Sequence, residues 1–295
     1  MRADRGKDAR RARTQESVRC TQYTDDLHYI ILPFVVIALL GAATPGFGQS
    51  PALEEAQRLF YNGRYQAAAD ATLPMCATPP GDLAACELRT SSLLFQIKRL
   101  VGDAPDKDVA WKNCTTCPAI MTAFLADTAR GQALARARLA ANPNDETGLF
   151  FLGKLDLNYV WLQLGTLGRK TGWDEYWEAR KSLDKVLKLH PGNVRAKVSR
   201  AWIDYIVGTK IPRGVRWLLG GGNKKRGLSI VRDAAKGEAD IWVQAETEFA
   251  LWDMQVREKE FAAALMTARE LIANFPDNEE LRKFIETHDP TVRRD

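Results

Sequence analysis

Four cysteines follow residue 49 in this 295-residue chain, and two of them stand three apart. Cys114-Thr-Thr-Cys117 has the spacing of a local disulfide, of a redox dithiol, or of half a metal site. Cys76 and Cys86 flank Pro79-Pro80-Gly81, a turn that would bring them together. Four cysteines allow three pairings. Cys76–Cys86 with Cys114–Cys117 is the preferred one, with structural bridges preferred over redox chemistry. Zinc lacks support, because no second Cys-x-x-Cys and no nearby His pair accompany the first. Haem attachment would need a histidine where Pro118 stands. His190 and His288 each sit beside a turn or chain end, without a Cys or Ser and an orienting acid nearby. Asp156 and Asp204 are the best carboxylate pair, and hydrogen bonding on a helix face is their plainer reading. No catalytic set emerges, so the expectation is a non-enzyme without cofactor or metal.

Binding chemistry has a better candidate. Lys210–Arg226 reads Lys-Ile-Pro-Arg-Gly-Val-Arg-Trp-Leu-Leu-Gly-Gly-Gly-Asn-Lys-Lys-Arg, with no acidic residue between Tyr205 and Arg232. Lys210, Arg213, Arg216, Lys224, Lys225 and Arg226 surround Trp217 and the triple glycine. A glycine turn before a helix exposes backbone N–H groups, which favours anions. A carboxylate, a phosphate or an anionic lipid surface would suit it. The phosphate-loop spacing is absent. The plainer reading is an inter-helix loop whose Trp and Leu plug a neighbouring unit. Trp161 and Trp202 are further candidate contacts, drawn from a dense aromatic stretch that also serves core packing.

The elements that would position these residues repeat. Tyr65–Ala68–Pro80, Tyr176–Ala179–Pro191 and Phe261–Ala264–Pro276 share one spacing, and Thr128–Gly131–Pro143 is a weaker copy. An aromatic and a small residue at i and i+3 lie on one helix face. The ring fills the gap to a partner helix, the alanine lets two backbones approach, and the proline ends the helix. Each proline is followed by a turn and an Asx residue able to cap the next helix: Asp82, Asp145, Asn193 and Asn278. Such hairpins cannot bury their apolar faces alone and must stack.

The pattern predicts helices over Leu83–Val101, Pro118–Ala141, Trp173–Leu189 and Lys224–Ala235, with a cap over Asn278–Thr287. Gly102–Cys117 reads as a loop with a short helix near Trp111. Two units are enlarged by about 14 residues between their helices, and they look like copies. Asn158-Tyr159-Val160 and Asp204-Tyr205-Ile206 hold equivalent places 46 residues apart.

These spacings resemble the tetratricopeptide repeat. The resemblance covers most of residues 51–287 and is weak between Leu83 and Cys117. It implies an all-α, right-handed stack of helix-turn-helix units, an α-solenoid that binds proteins or peptides in a concave groove. Whole-chain flavour resembles exported bacterial proteins of this kind.

The ends and the charge set the context. Residues 1–26 hold seven Lys/Arg and five Asp/Glu and read as a disordered polar leader. Residues 27–48 carry no charge and read as a signal peptide or N-terminal anchor ending near Gln49. Residues 49–287 would be the solenoid and 288–295 a tail. The formal net charge is +5, too dilute for a nucleic-acid protein. The functional expectation is an exported scaffold or adaptor for a protein or peptide, in the periplasm or cell envelope, with residues 27–48 as its anchor if they are not removed. The alternatives are a solute- or lipid-handling accessory of a transporter, with an anionic ligand on the basic loop, and a thiol–disulfide protein using Cys114 and Cys117.

Overall fold

The structure, a computed structural model, describes residues 50–289 and 291. The expected leader and the charge-free segment lie outside the described residues, as does most of the expected tail. Every regular element among the described residues is helical: α1 (Pro51–Tyr61), α2 (Tyr65–Ala77), α3 (Leu83–Val101), α4 (Lys107–Asn113), α5 (Cys117–Ala141), α6 (Glu146–Val160), α7 (Trp173–Leu189), α8 (Val194–Lys210), α9 (Lys224–Ala235), α10 (Ile241–Arg257), α11 (Phe261–Asn274) and α12 (Glu279–His288).

The predicted caps form. Asp82, Asp145, Asn193 and Asn278 each accept a backbone N–H from the first turn of the helix they precede, at 2.7, 2.8, 2.8 and 3.0 Å. Each bond satisfies a donor that the helix start would leave orphaned. Five hairpins result, α1/α2, α3/α5, α6/α7, α8/α9 and α10/α11, with α12 covering the last. This is the tetratricopeptide-like stack that the spacing implied.

The small residue of the repeated spacing lies inside the stack. Ala68, Ala179 and Ala264 are all fully buried. Gly131 does the same work in the weaker copy. A Cβ there would lie 2.7 Å from Leu155 Cδ1 and 3.2 Å from Cys86 Cβ, so a methyl group does not fit. The aromatic differs with its place in the stack. Tyr176 is buried, whereas Phe261 is 40% exposed, with the His288 ring of α12 4.6 Å away.

The two insertions are not copies in structure. The first forms a π-helical turn, Trp161–Thr166, that feeds Leu162 and Leu167 into the core beside Phe124 and Ile97. The second forms a 3₁₀ turn, Arg213–Leu219, of which no residue is buried. The apolar content decides this. Trp-Leu-Gln-Leu closes on the core, whereas the second insertion alternates its apolar residues with arginines and glycines.

The first hairpin also meets the last. The Tyr61 ring packs between Phe249 and Phe275, with centroids 5.3 and 5.2 Å away. The Asp277 backbone N–H donates to Asn62 Oδ1 at 2.9 Å, and Asn278 Nδ2 donates to the Tyr61 carbonyl at 2.7 Å. The stack therefore closes on itself. This corrects the expectation of an open concave groove: five curved units bring the ends together, and the inner helices face one another.

Candidate functional site

One side chain from each of several inner helices meets at the centre. Lys154 of α6 donates to Glu246 Oε1 of α10 at 2.7 Å and lies 3.7 Å from Glu87 of α3. Arg195 of α8 reaches Glu246 Oε2 at 2.6 Å and covers the Phe150 ring at 4.7 Å. These four side chains are at most 25% exposed. Burial pushes the Glu246 carboxyl up, but the Arg195 and Lys154 cations outweigh it and hold the group at about 2. Asn158 extends the polar layer, donating to Thr90 Oγ1 and Ser91 Oγ of α3 at 2.9 and 3.0 Å. The inner face is thus satisfied by its own charges.

The basic loop is the contrasting surface. It is rigidly tied from beneath. Arg216 turns inward and donates to the carbonyls of Ile211 and Gly208 at 2.7 and 2.6 Å. Tyr176 of α7 donates through its hydroxyl to the Leu219 carbonyl at 2.8 Å, and Arg180 donates to the carbonyls of Leu219 and Gly220. Leu219 packs on the core. Gly220 and Gly221 adopt positive φ, 72° and 82°, which an L side chain resists. A Cβ on Gly220 would also lie 2.8 Å from the Arg180 guanidinium.

What this framework presents is apolar and cationic. Trp217 is 73% exposed, Leu218 54% and Val215 44%. Lys210, Arg213, Lys225 and Arg226 are exposed and pair with no carboxylate among the described residues. Trp173 and Trp177, each 43% exposed, touch the Tyr176 ring that braces the loop. Lys225 and Arg226 stand in the first turn of α9, where the helix dipole disfavours cations.

Several sequence readings of this loop change. Trp217 does not plug a neighbouring unit. Lys224 is not free, since it pairs with Glu258 at 2.6 Å. The Gly220 and Gly221 N–H groups are not open to an anion, because they donate to the Trp217 and Arg216 carbonyls at 3.0 and 2.9 Å. Trp161 and Trp202 are not part of its exposed face. They meet edge to face at 6.3 Å, half-buried, and pack against core clusters.

The carboxylate pair is not assembled. Asp204 pairs with Arg200 at 2.7 Å, while Asp156 accepts from Gln132 Nε2 at 2.7 Å. Asp156 is fully buried and its Oδ2 has no partner. Burial pushes its carboxyl up, as does Glu178, against the Gln132 hydrogen bond and Arg136, to about 8. The folded chain then keeps a proton that the unfolded chain releases near its ordinary 3.8. Stability therefore falls as pH rises from about 4 to about 8, by at most about 1.4 kcal/mol per unit. Asp156→Asn retains the Gln132 acceptor and removes that slope. Denaturant melts across this window should show the variant gaining over the wild type as pH rises. A margin that ignores pH would mean that Asp156 titrates normally.

Both expected disulfides are present. Cys76–Cys86 joins α2 to α3 with both residues buried, and Cys114–Cys117 lies at the start of α5. His190 Nδ1 lies 3.3 Å from Glu146 at the surface, and His288 stacks on Phe284. Neither meets a nucleophile. No group of three His, Cys, Asp or Glu side chains among the described residues is placed to hold a metal ion.

No protein-family model matches the chain, and no curated protein does. One solved structure is similar: a thermophilic tetratricopeptide-repeat protein of Thermus thermophilus. It is 16% identical, the alignment covers 80% of this chain and 96% of that one, and the TM-score is 0.43. The repeat architecture rests on the helices, caps and crossings described above.

Proposed function

We propose that the protein is a non-enzymatic scaffold of the cell envelope that docks an acidic protein segment on its basic–aromatic loop. The carrying observation is Trp217, 73% exposed on a turn whose backbone is fixed by Arg216, Tyr176 and Arg180. A rigid exposed Trp with an apolar neighbour and a cationic rim has the build of an interface hot spot. The unpaired cations at the start of α9 cost stability alone, and an acidic partner would relieve them. The inner face is unsuited to this role, because its charges are already paired. Export belongs to the same proposal. It rests on the charge-free stretch 27–48 and on four cysteines joined as two bridges. No helix among the described residues is long and apolar enough to cross a membrane.

The test compares baits on envelope extract. Trp217→Ser, and separately Lys210, Arg213, Lys225 and Arg226 all changed to Gln, should lose about tenfold or more of what the wild type retains, a loss of about 1.4 kcal/mol or more. Melting temperature should stay unchanged and wild-type binding should weaken with salt. Equal retention by both variants would refute the loop as the docking surface. Flotation with anionic vesicles, blocked by the same substitutions and unaccompanied by protein capture, would replace the protein partner with a lipid surface.

A further inference from the structure

The two disulfides occupy opposite environments. Cys76 and Cys86 are 2% and 0% exposed, closed within α2 and α3. Cys114 is half-buried, whereas Cys117 is fully buried. Cys114 is also the last residue before a turn, following α4, and its partner is the first residue of the 25-residue α5. The Cys117 backbone N–H donates to Cys114 Sγ at 3.2 Å. No acidic residue stands in the first turn of α5, so nothing there opposes the positive end of the helix dipole. An N–H donor and a helix start stabilise a thiolate on the outer sulfur. A buried partner sulfur stays in reach for the return attack while solvent cannot reach it.

We propose that Cys114–Cys117 is an exchangeable disulfide, with Cys114 the sulfur that an external dithiol attacks. One thiolate of the dithiol bonds to Cys114 Sγ, the Cys114–Cys117 bond breaks, and Cys117 leaves as thiolate and takes a proton. The second thiolate of the dithiol then attacks its own partner's sulfur in the mixed disulfide. Cys114 leaves as thiolate. The dithiol is oxidised by two electrons to a disulfide, and the protein pair is reduced to two thiols. The reverse sequence starts from the Cys114 thiolate. The local bridge spans three positions of sequence, so its opening releases little chain and leaves α5 in place.

Limited reduction of the wild type with dithiothreitol, followed by alkylation and peptide mapping, tests this. Cys114 and Cys117 should be labelled first, with helical circular dichroism unchanged and Cys76–Cys86 still linked. Cys117→Ser should trap a mixed disulfide on Cys114 with oxidised glutathione, roughly tenfold faster than an unperturbed thiol does. Cys114→Ser, leaving only the buried sulfur, should not. Reduction that occurs only with loss of helix, or equal trapping by both variants, would overturn the proposal. If Cys117→Ser fails to fold, the order of labelling in the wild type still decides.

Discussion

Glu246→Gln should lower the stability of the protein by about 3–5 kcal/mol at neutral pH. Glu246 holds Lys154 at 2.7 Å and Arg195 at 2.6 Å, so the substitution keeps the shape and leaves two partly buried cations without their shared counter-charge. Breaking a buried ion network by removing one partner costs that much because the remaining charges stay desolvated. The pH dependence identifies the cause. The folded carboxyl sits at about 2 against an ordinary 4.5, so its contribution is complete above about 4.5 and is lost as pH falls toward 2. Melts of wild type and variant should therefore differ most near neutrality and converge in acid. A difference unaffected by pH would mean that Glu246 acts through packing, and no difference at all would mean that the inner cluster does not form.

The second large effect is loss of the Cys76–Cys86 bridge. Replacing both residues with alanine should cost about 2–4 kcal/mol. The bridge closes a loop of sequence separation 10 and ties α2 to α3 beside Leu53, Ala56 and Ala85. Wild type melted in strong reductant opens both bridges without changing side-chain volume, so its loss should equal that of the two alanine pairs together. The Cys114–Cys117 pair, with separation 3, is the internal control and should cost less when changed to alanine. A penalty below about 1 kcal/mol for the first pair would contradict its structural role.

The helices were legible in the sequence because their signals are local. A proline, a turn glycine and an Asx cap act within one or two turns of helix. Asp82, Asp145, Asn193 and Asn278 accordingly do what their positions foretold. The pairing of cysteines was legible for the same reason, since both bridges span at most ten positions. Closure of the stack was not. Tyr61 meets Phe275 and Lys154 meets Glu246 only after the curvature of several units accumulates, and no single unit encodes that sum. The π-helical turn at Trp161–Thr166 has no distinctive local signal either.

The candidate surface was legible in composition but not in disposition. Lys210–Arg226 stood out by charge and glycine content. Whether Trp217 would pack inward or face out depended on how the turn is held, and Arg216 is among the groups that hold it, donating to the carbonyls of Gly208 and Ile211. Lys224 read as a free cation because its acid, Glu258, lies 34 positions away. The inner cluster was missed entirely. Glu87, Lys154, Arg195 and Glu246 look like ordinary charges on separate helices. One cue was available: each lies on a first helix of a pair, so a closed stack would turn them toward one centre.

Closure of that stack is the reason the proposal puts docking on the loop and not on the inner face. Spin labels at Gln66 of α2 and Glu280 of α12, both exposed and flanking the Asn62–Asp277 contact, report it directly by pulsed dipolar spectroscopy. A closed stack predicts one short, narrow distance distribution between the labels. A long or broad distribution would show an open superhelix with an accessible inner groove, and would contradict this account.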